Sequence, residues 1–247
     1  MYKEFLDSKR RLIISISLLL SFFFLLLIFK EKTIQVLNQN KEALKAFSSM
    51  IQIEKLRNLD FFIKTQWYGK NFGQFLPLIA LIFSYSVFSK EFEKKTFDFL
   101  ITRKSRKNIF IKKVSSIYIN FVLINIIFFI ISIITLSMSS FDFQIIDYFK
   151  IFIQQTIISS LIIPIAVLIS IITQTQIKSF IIPLTIIFLC LTLYFLPNVK
   201  IKTPYNFILD PKLIIKNEMD FLPIILSILF SIFLIFFSLK IFEKKDF

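Results

Sequence analysis

The chain has 247 residues, 56% of them hydrophobic, and 30 Lys and Arg against 16 Asp and Glu, a net charge of +14. It contains no His, two Gly and one Cys. That composition removes the commonest general base and metal ligand, a disulfide, a thiolate metal site and a glycine-rich phosphate loop.

The N-terminal eleven residues carry Lys3, Lys9, Arg10 and Arg11, and the first long apolar run follows at 12–29. This run exceeds a secretory core of roughly 7–15 residues, and no small-x-small cleavage site follows it, so it reads as an uncleaved anchor. Five more runs of 18 or more residues lack Asp, Glu, Lys and Arg, at 72–89, 114–138, 151–172, 179–196 and 221–238. Eighteen helical residues reach about 27 Å, close to the hydrocarbon thickness of a bilayer. The expected fold is an all-α integral membrane protein with six transmembrane helices, forming one transmembrane domain over 1–247.

Between the first two runs, 38–63 mixes apolar and charged residues at loosely helical spacing. One or two short helices are expected there, lying outside the membrane or continuing the second span. Trp67 and Tyr68 stand just before the second run, a usual place for an aromatic belt. From 90 to 113 the chain holds nine Lys or Arg. Within it, Glu91 and Lys95, then Lys94 and Asp98, are spaced i,i+4, which supports a helix over 91–101. Phe92, Phe99 and Leu100 share one side of that helix, and "TRKSRKN" is a basic turn. Its lysines and arginines are explained by topology and by contact with anionic lipid. A nucleic-acid partner is not expected, because no stacking aromatic lies in the basic turn. The interleaved Glu91, Glu93, Thr96 and Asp98 go beyond what an anchor needs and point to a face presented to a protein partner.

The third run contains Asn120 and Asn125, and the fourth begins with Gln154 and Gln155. Such amides either glue helices together, at about 0.6–2 kcal/mol per bond, or line a translocation path. Pro77, Pro164, Pro183 and Pro223 fall inside runs, where membrane helices tolerate proline. Pro164 and Pro183 flank the short turn "TQTQIK" and are the better candidates for a functional bend. The loop 197–220 has Pro197, Pro204 and Pro211, a density that disfavours a long helix. The tail adds Lys240, Lys244 and Lys245. With six spans the N-terminal tail, the 90–113 loop and the C-terminal tail share one side, which the positive-inside rule makes the cytoplasm. The expected location is the cytoplasmic (inner) membrane.

Chemistry of its own is not expected. The six apolar runs hold no ionisable group of the kind that proton- or ion-coupled carriers place at membrane depth. Asp142 and Asp147 are separated in a short loop, and Gly69-Lys70 lacks the upstream Gly and the Ser or Thr of a phosphate loop. No catalytic residue and no metal ligand is assigned, and no cofactor is expected on this chain.

The segment "EKKTFDFLITRKSR" followed by "NIFIKK" resembles the cytoplasmic loop between the second and third spans of type-2 ABC transporter permeases. Glu93, Thr96, Leu100, Ser105, Arg106 and Lys113 match that family's pattern; Lys95 stands where the family has Gly, and the link "TRK" lacks the usual Pro. The resemblance implies a coupling helix after the second span, seated against a separate ATP-binding subunit that binds ATP and Mg and hydrolyses the nucleotide. It implies a second permease subunit, as a homodimer or heterodimer, and rocking between inward- and outward-facing states that usually serves export. Glu91, Glu93, Thr96, Asp98, Phe99, Leu100, Ser105 and Arg106 would then form the ATPase contact. The same fold also suits a non-transporting membrane scaffold, such as an assembly or motility-complex subunit; a secondary transporter fits less well without buried charge.

Overall fold

The computed structural model describes residues 2–39, 53–96, 105–139, 141–196 and 201–245, and every regular element among them is helical. Six helices are long and apolar enough to cross a membrane: Lys9–Ile28, Leu59–Glu93, Arg106–Ser137, Ile145–Thr173, Gln176–Phe195 and Phe221–Lys244. They are called spans one to six below. The count agrees with the apolar runs, but the helices extend past them, most at the starts of spans two, three and four.

Span two starts thirteen residues earlier than the apolar run at 72–89. It is a run of 35 residues, about 50 Å at 1.5 Å per residue, well beyond the roughly 30 Å hydrocarbon core. It opens with α3 (Leu59–Phe62), continues as a π-helical stretch (Ile63–Phe72), and resumes as α4 (Gly73–Ser84). A π-helix closes i→i+5 bonds, so its buried residues do not repeat with the 3.6 period. Trp67 and Tyr68 lie in this stretch and are buried; they are core residues, not an interfacial belt. Trp67 stacks on Phe72 at 5.2 Å and meets Phe23 of span one at 4.9 Å and Phe128 of span three at 5.5 Å. Lipid tails are as apolar as these rings, so the cluster holds through packing and not through exclusion of water.

Span one is the helix α1 (Tyr2–Ile28), and α2 (Lys30–Gln39) follows it. A short 3₁₀ turn at Ile53–Arg57 leads into α3, which Asn58 caps by accepting the Asp60 N–H at 2.8 Å. Residues 40–52 of the expected outer helical segment lie outside the described residues. After α5 (Ser89–Glu93), span three is the single helix α6 (Arg106–Ser137). Span four starts six residues before its apolar run and is built of α7 (Ile145–Ser159) and α8 (Ile162–Thr173), with a turn at Ser160–Leu161 just ahead of Pro164. Gln174, at φ 57, makes the turn into α9 (Gln176–Phe195), which is span five and contains Pro183.

The proline-rich loop before span six folds into two short helices, α10 (Pro204–Ile208) and α11 (Pro211–Lys216). Each has proline at its first position, where the missing N–H is harmless. Asp210 caps α11 by accepting the Lys212 N–H at 2.9 Å. Asp220 caps α12 (Phe221–Lys244), the last span, by accepting the Leu222 N–H at 3.2 Å.

Span two is the centre of the bundle: 67% of its apolar window is buried, against 11% for span one and 17% for span five. Its two glycines, the only two in the chain, let the short outer helices come close. A Cβ on Gly73 would lie 2.5 Å from the Tyr68 carbonyl oxygen and 2.7 Å from Leu209 Cδ2. A Cβ on Gly69 would meet the Ile214 side chain at 3.0 Å.

Candidate functional site

The expected 91–101 helix is interrupted. α5 ends at Glu93, and the Lys95 N–H bonds the Phe92 carbonyl at 3.1 Å while the Thr96 N–H bonds the Glu91 carbonyl at 3.1 Å. With Lys95 at φ 52, this is a Schellman closure, a motif whose left-handed position glycine usually fills. Lys95, which the resemblance sets where the family has Gly, holds the left-handed position of this closure, with Thr96 directly after it. Asp98, Phe99 and Leu100 lie outside the described residues.

What precedes the closure is tied to three other spans. Lys113 of α6 pairs with Glu91 at 2.8 Å, donates to the Val87 carbonyl at 3.1 Å and lies over the Phe88 ring. The Lys113 side chain is 6% exposed and that of Glu91 19%. A lysine this buried is held only with its partners in place, since an uncompensated buried charge is strongly destabilising. Among the described residues the second Glu91 oxygen, Oε2, has no donor. Gln176 at the start of α9 donates to the Glu93 carboxylate. The Ser89 N–H donates to Ser170 Oγ of α8 at 2.9 Å.

Ser105 and Arg106 start α6. Arg106 Nη1 donates to the carbonyls of Glu243 and Lys245, both at 2.7 Å. Lys245 in turn donates to the Ile171 carbonyl at the end of α8 and covers the Phe92 ring. Burial lowers the Lys245 ammonium below the usual lysine range. Arg11 donates to the Ile82 carbonyl at 3.1 Å and stacks over Tyr85. Cations at the starts of spans one and three, and on the final residues, thus satisfy carbonyls in the last turns of α4, α8 and α12 and in the turn between α4 and α5. The last four carbonyls of a helix have no partner within it.

The amides singled out from the sequence are all buried. Asn125 donates to the Phe121 carbonyl of its own helix at 2.9 Å, and Asn120 is buried on the same helix. Gln155 donates to the carbonyls of Tyr68 at 3.0 Å and Ile208 at 2.8 Å. Gln154 donates to the Phe207 carbonyl at 2.9 Å and accepts the Asp220 N–H at 3.2 Å. The two glutamines therefore tie α7 to span two and to the outer helices.

One cluster has no counterpart in the apolar-run reading, which placed no ionisable group in a span. Lys64 of the π-helical stretch lies 3.0 Å from Asp147 Oδ2 and 3.1 Å from Asp60 Oδ2. The Tyr148 hydroxyl donates to Asp60 Oδ1 at 2.9 Å. Lys64 and Asp147 are each under a tenth exposed. Both fall inside helices that extend past the apolar runs, so a window without charge could not include them. The signal available was Asp60 and Lys64 at i,i+4 spacing ahead of an aromatic pair.

A protein-family model described as "ABC-2 family transporter protein" matches residues 1–229. No curated protein and no solved structure matches the chain.

Proposed function

We propose a function from one premise: the chain belongs to the ABC-2 family of transporter proteins. It is a multi-pass integral membrane protein, and its family implies a separate ATP-binding subunit as partner. In this reading the chain is the permease subunit of an ATP-driven exporter in the cytoplasmic membrane, with both termini and the 90–113 loop on the cytoplasmic side. Two permease subunits enclose the path, and ATP with Mg is bound and hydrolysed on the partner.

The observation that carries the reading is the anchoring of α5. Its few residues are fastened to span three through Glu91–Lys113, to span four through Ser89–Ser170 and to span five through Glu93–Gln176. A displacement of this segment by a docked ATPase would act on all three at once, as coupling requires.

The test is co-expression with the ATP-binding subunit encoded beside this chain. The two should co-purify, and ATP turnover should change when the permease is present. Phe99→Ala with Leu100→Ala should weaken docking and leave membrane insertion intact. A chain that neither retains the ATPase nor alters its turnover is not a coupled permease, and the scaffold reading would then take its place.

A further inference from the structure

At the basic end of the bundle, spans three and six border an open groove of about 400 Å³. Phe110 and Val114 are buried and form its floor. Ile111, Tyr118 and Ile119 line one side and Ile235 the other. The Tyr118 hydroxyl bonds Ser231 across the two helices.

Helical spacing sets one cation on each flank of this face, Lys107 and Lys112 being five residues and about 140° apart around α6. Lys107 is four residues before Ile111 and seven before Val114; Lys112 is three before Ser115 and seven before Ile119. Residues at these spacings share a helix face. Unlike Arg106 and Lys113, neither ammonium is taken up by a carboxylate or carbonyl of the described residues. The apolar run of span three begins at 114, and Lys107 lies about 10 Å further out along the helix axis. Lysine stems run along apolar surface with the charge in the polar layer, so both ammonium groups reach headgroup depth while the groove runs into the hydrocarbon.

We infer that this groove binds an anionic phospholipid of the leaflet at the basic end. One acyl chain lies along 114–119 against Ile235, and the phosphate sits between Lys107 and Lys112. A second copy of the chain is a poor occupant, because a two-fold contact would set the same lysines against each other.

The full chain, purified in mild detergent with an equal mixture of phosphatidylglycerol and phosphatidylcholine, tests this by native mass spectrometry of retained lipid. At about fivefold per lysine, the anionic lipid should be preferred by about 25-fold. Lys107→Ala and Lys112→Ala should each reduce the preference about fivefold, and Lys178→Ala, an exposed lysine at the same end, should leave it unchanged. Ile111→Trp, at a position already 46% exposed, should fill the groove and remove retention of both lipids from folded protein. Equal retention of the two lipids overturns the inference. So does an effect of Lys178→Ala as large as that of Lys107→Ala, which would mark diffuse charge. So does efficient intermolecular crosslinking of Ile119→Cys in membranes, which would mark a second copy.

Discussion

Lys64→Met should destabilise the bundle more than any single change to its two carboxylate partners. At 3.0 Å from Asp147, a charge pair attracts by about 5–6 kcal/mol at an effective dielectric of 20, most of it offset by desolvation. Removing the lysine leaves two carboxylates whose facing oxygens are no more than about 6 Å apart, since both touch the same nitrogen, repelling by about 3 kcal/mol on the same scale. The net loss should be about 3–5 kcal/mol, as for other broken buried pairs. Asp147→Asn keeps an acceptor and leaves Lys64 on Asp60, which is partly exposed, so it should cost only about 1–2 kcal/mol. The double change Lys64→Met with Asp147→Leu should be more stable than Lys64→Met alone, a non-additivity expected of partners in one network. Trp67 is the sole tryptophan, fully buried and three residues from Lys64, and its fluorescence during SDS titration reads the unfolding directly. A Lys64→Met protein within about 1 kcal/mol of the wild type, or a double variant weaker than the single, would refute the charge accounting.

Gly73→Ala should cost about 1–3 kcal/mol, because its methyl would face the Tyr68 carbonyl and Leu209, whereas Gly69→Ala should cost less, its nearest contact being the movable tip of Ile214; thermal unfolding in detergent separates the two. Gln155→Leu should leave the Tyr68 and Ile208 carbonyls without their donor, costing about 1–3 kcal/mol and exposing the 201–220 segment to added protease. Lys95→Gly should be tolerated and gain up to about 1 kcal/mol by relieving the left-handed backbone, while Lys95→Val should lose stability in the same melt. Arg106→Ala should free the Glu243 and Lys245 carbonyls, and deuterium exchange should rise at 240–245 without change at 221–235.

The six-helix layout was legible because each span contains a charge-free stretch near bilayer length, and such a stretch has few other uses. The boundaries of spans two and four were not, because Lys64 and Asp147 neutralise each other inside the packed bundle. A hydropathy window counts each as a charge facing lipid, although neither does. The burial of Trp67 and Tyr68 was hidden for a different reason: π-helical geometry removes the 3.6 period on which a helical face is recognised. In the segment after span two, i,i+4 pairs argue for an unbroken helix over 91–101, and these surface pairs contribute only a few tenths of a kcal/mol. The Schellman closure at Lys95 outweighs them. Lys95 itself gives no sign of it, because a left-handed closing position is recognised from sequence mainly by glycine. Gln154 and Gln155 could be recognised as buried amides, but their partners are backbone carbonyls of α10 and span two, which no local pattern encodes.

The carbonyls held by Arg11, Arg106, Lys113 and Lys245 would, in the proposed topology, make insertion direction and internal architecture a single property of this chain. In that topology, the residues that orient the chain during insertion are the same ones that later close the bundle. Moving them to the other flanks to invert the topology would strip spans two, four and six of their terminal donors, leaving an inverted chain unable to assemble. A near-duplicate of this chain evolving toward the opposite orientation would therefore have to rebuild those helix ends before it could function.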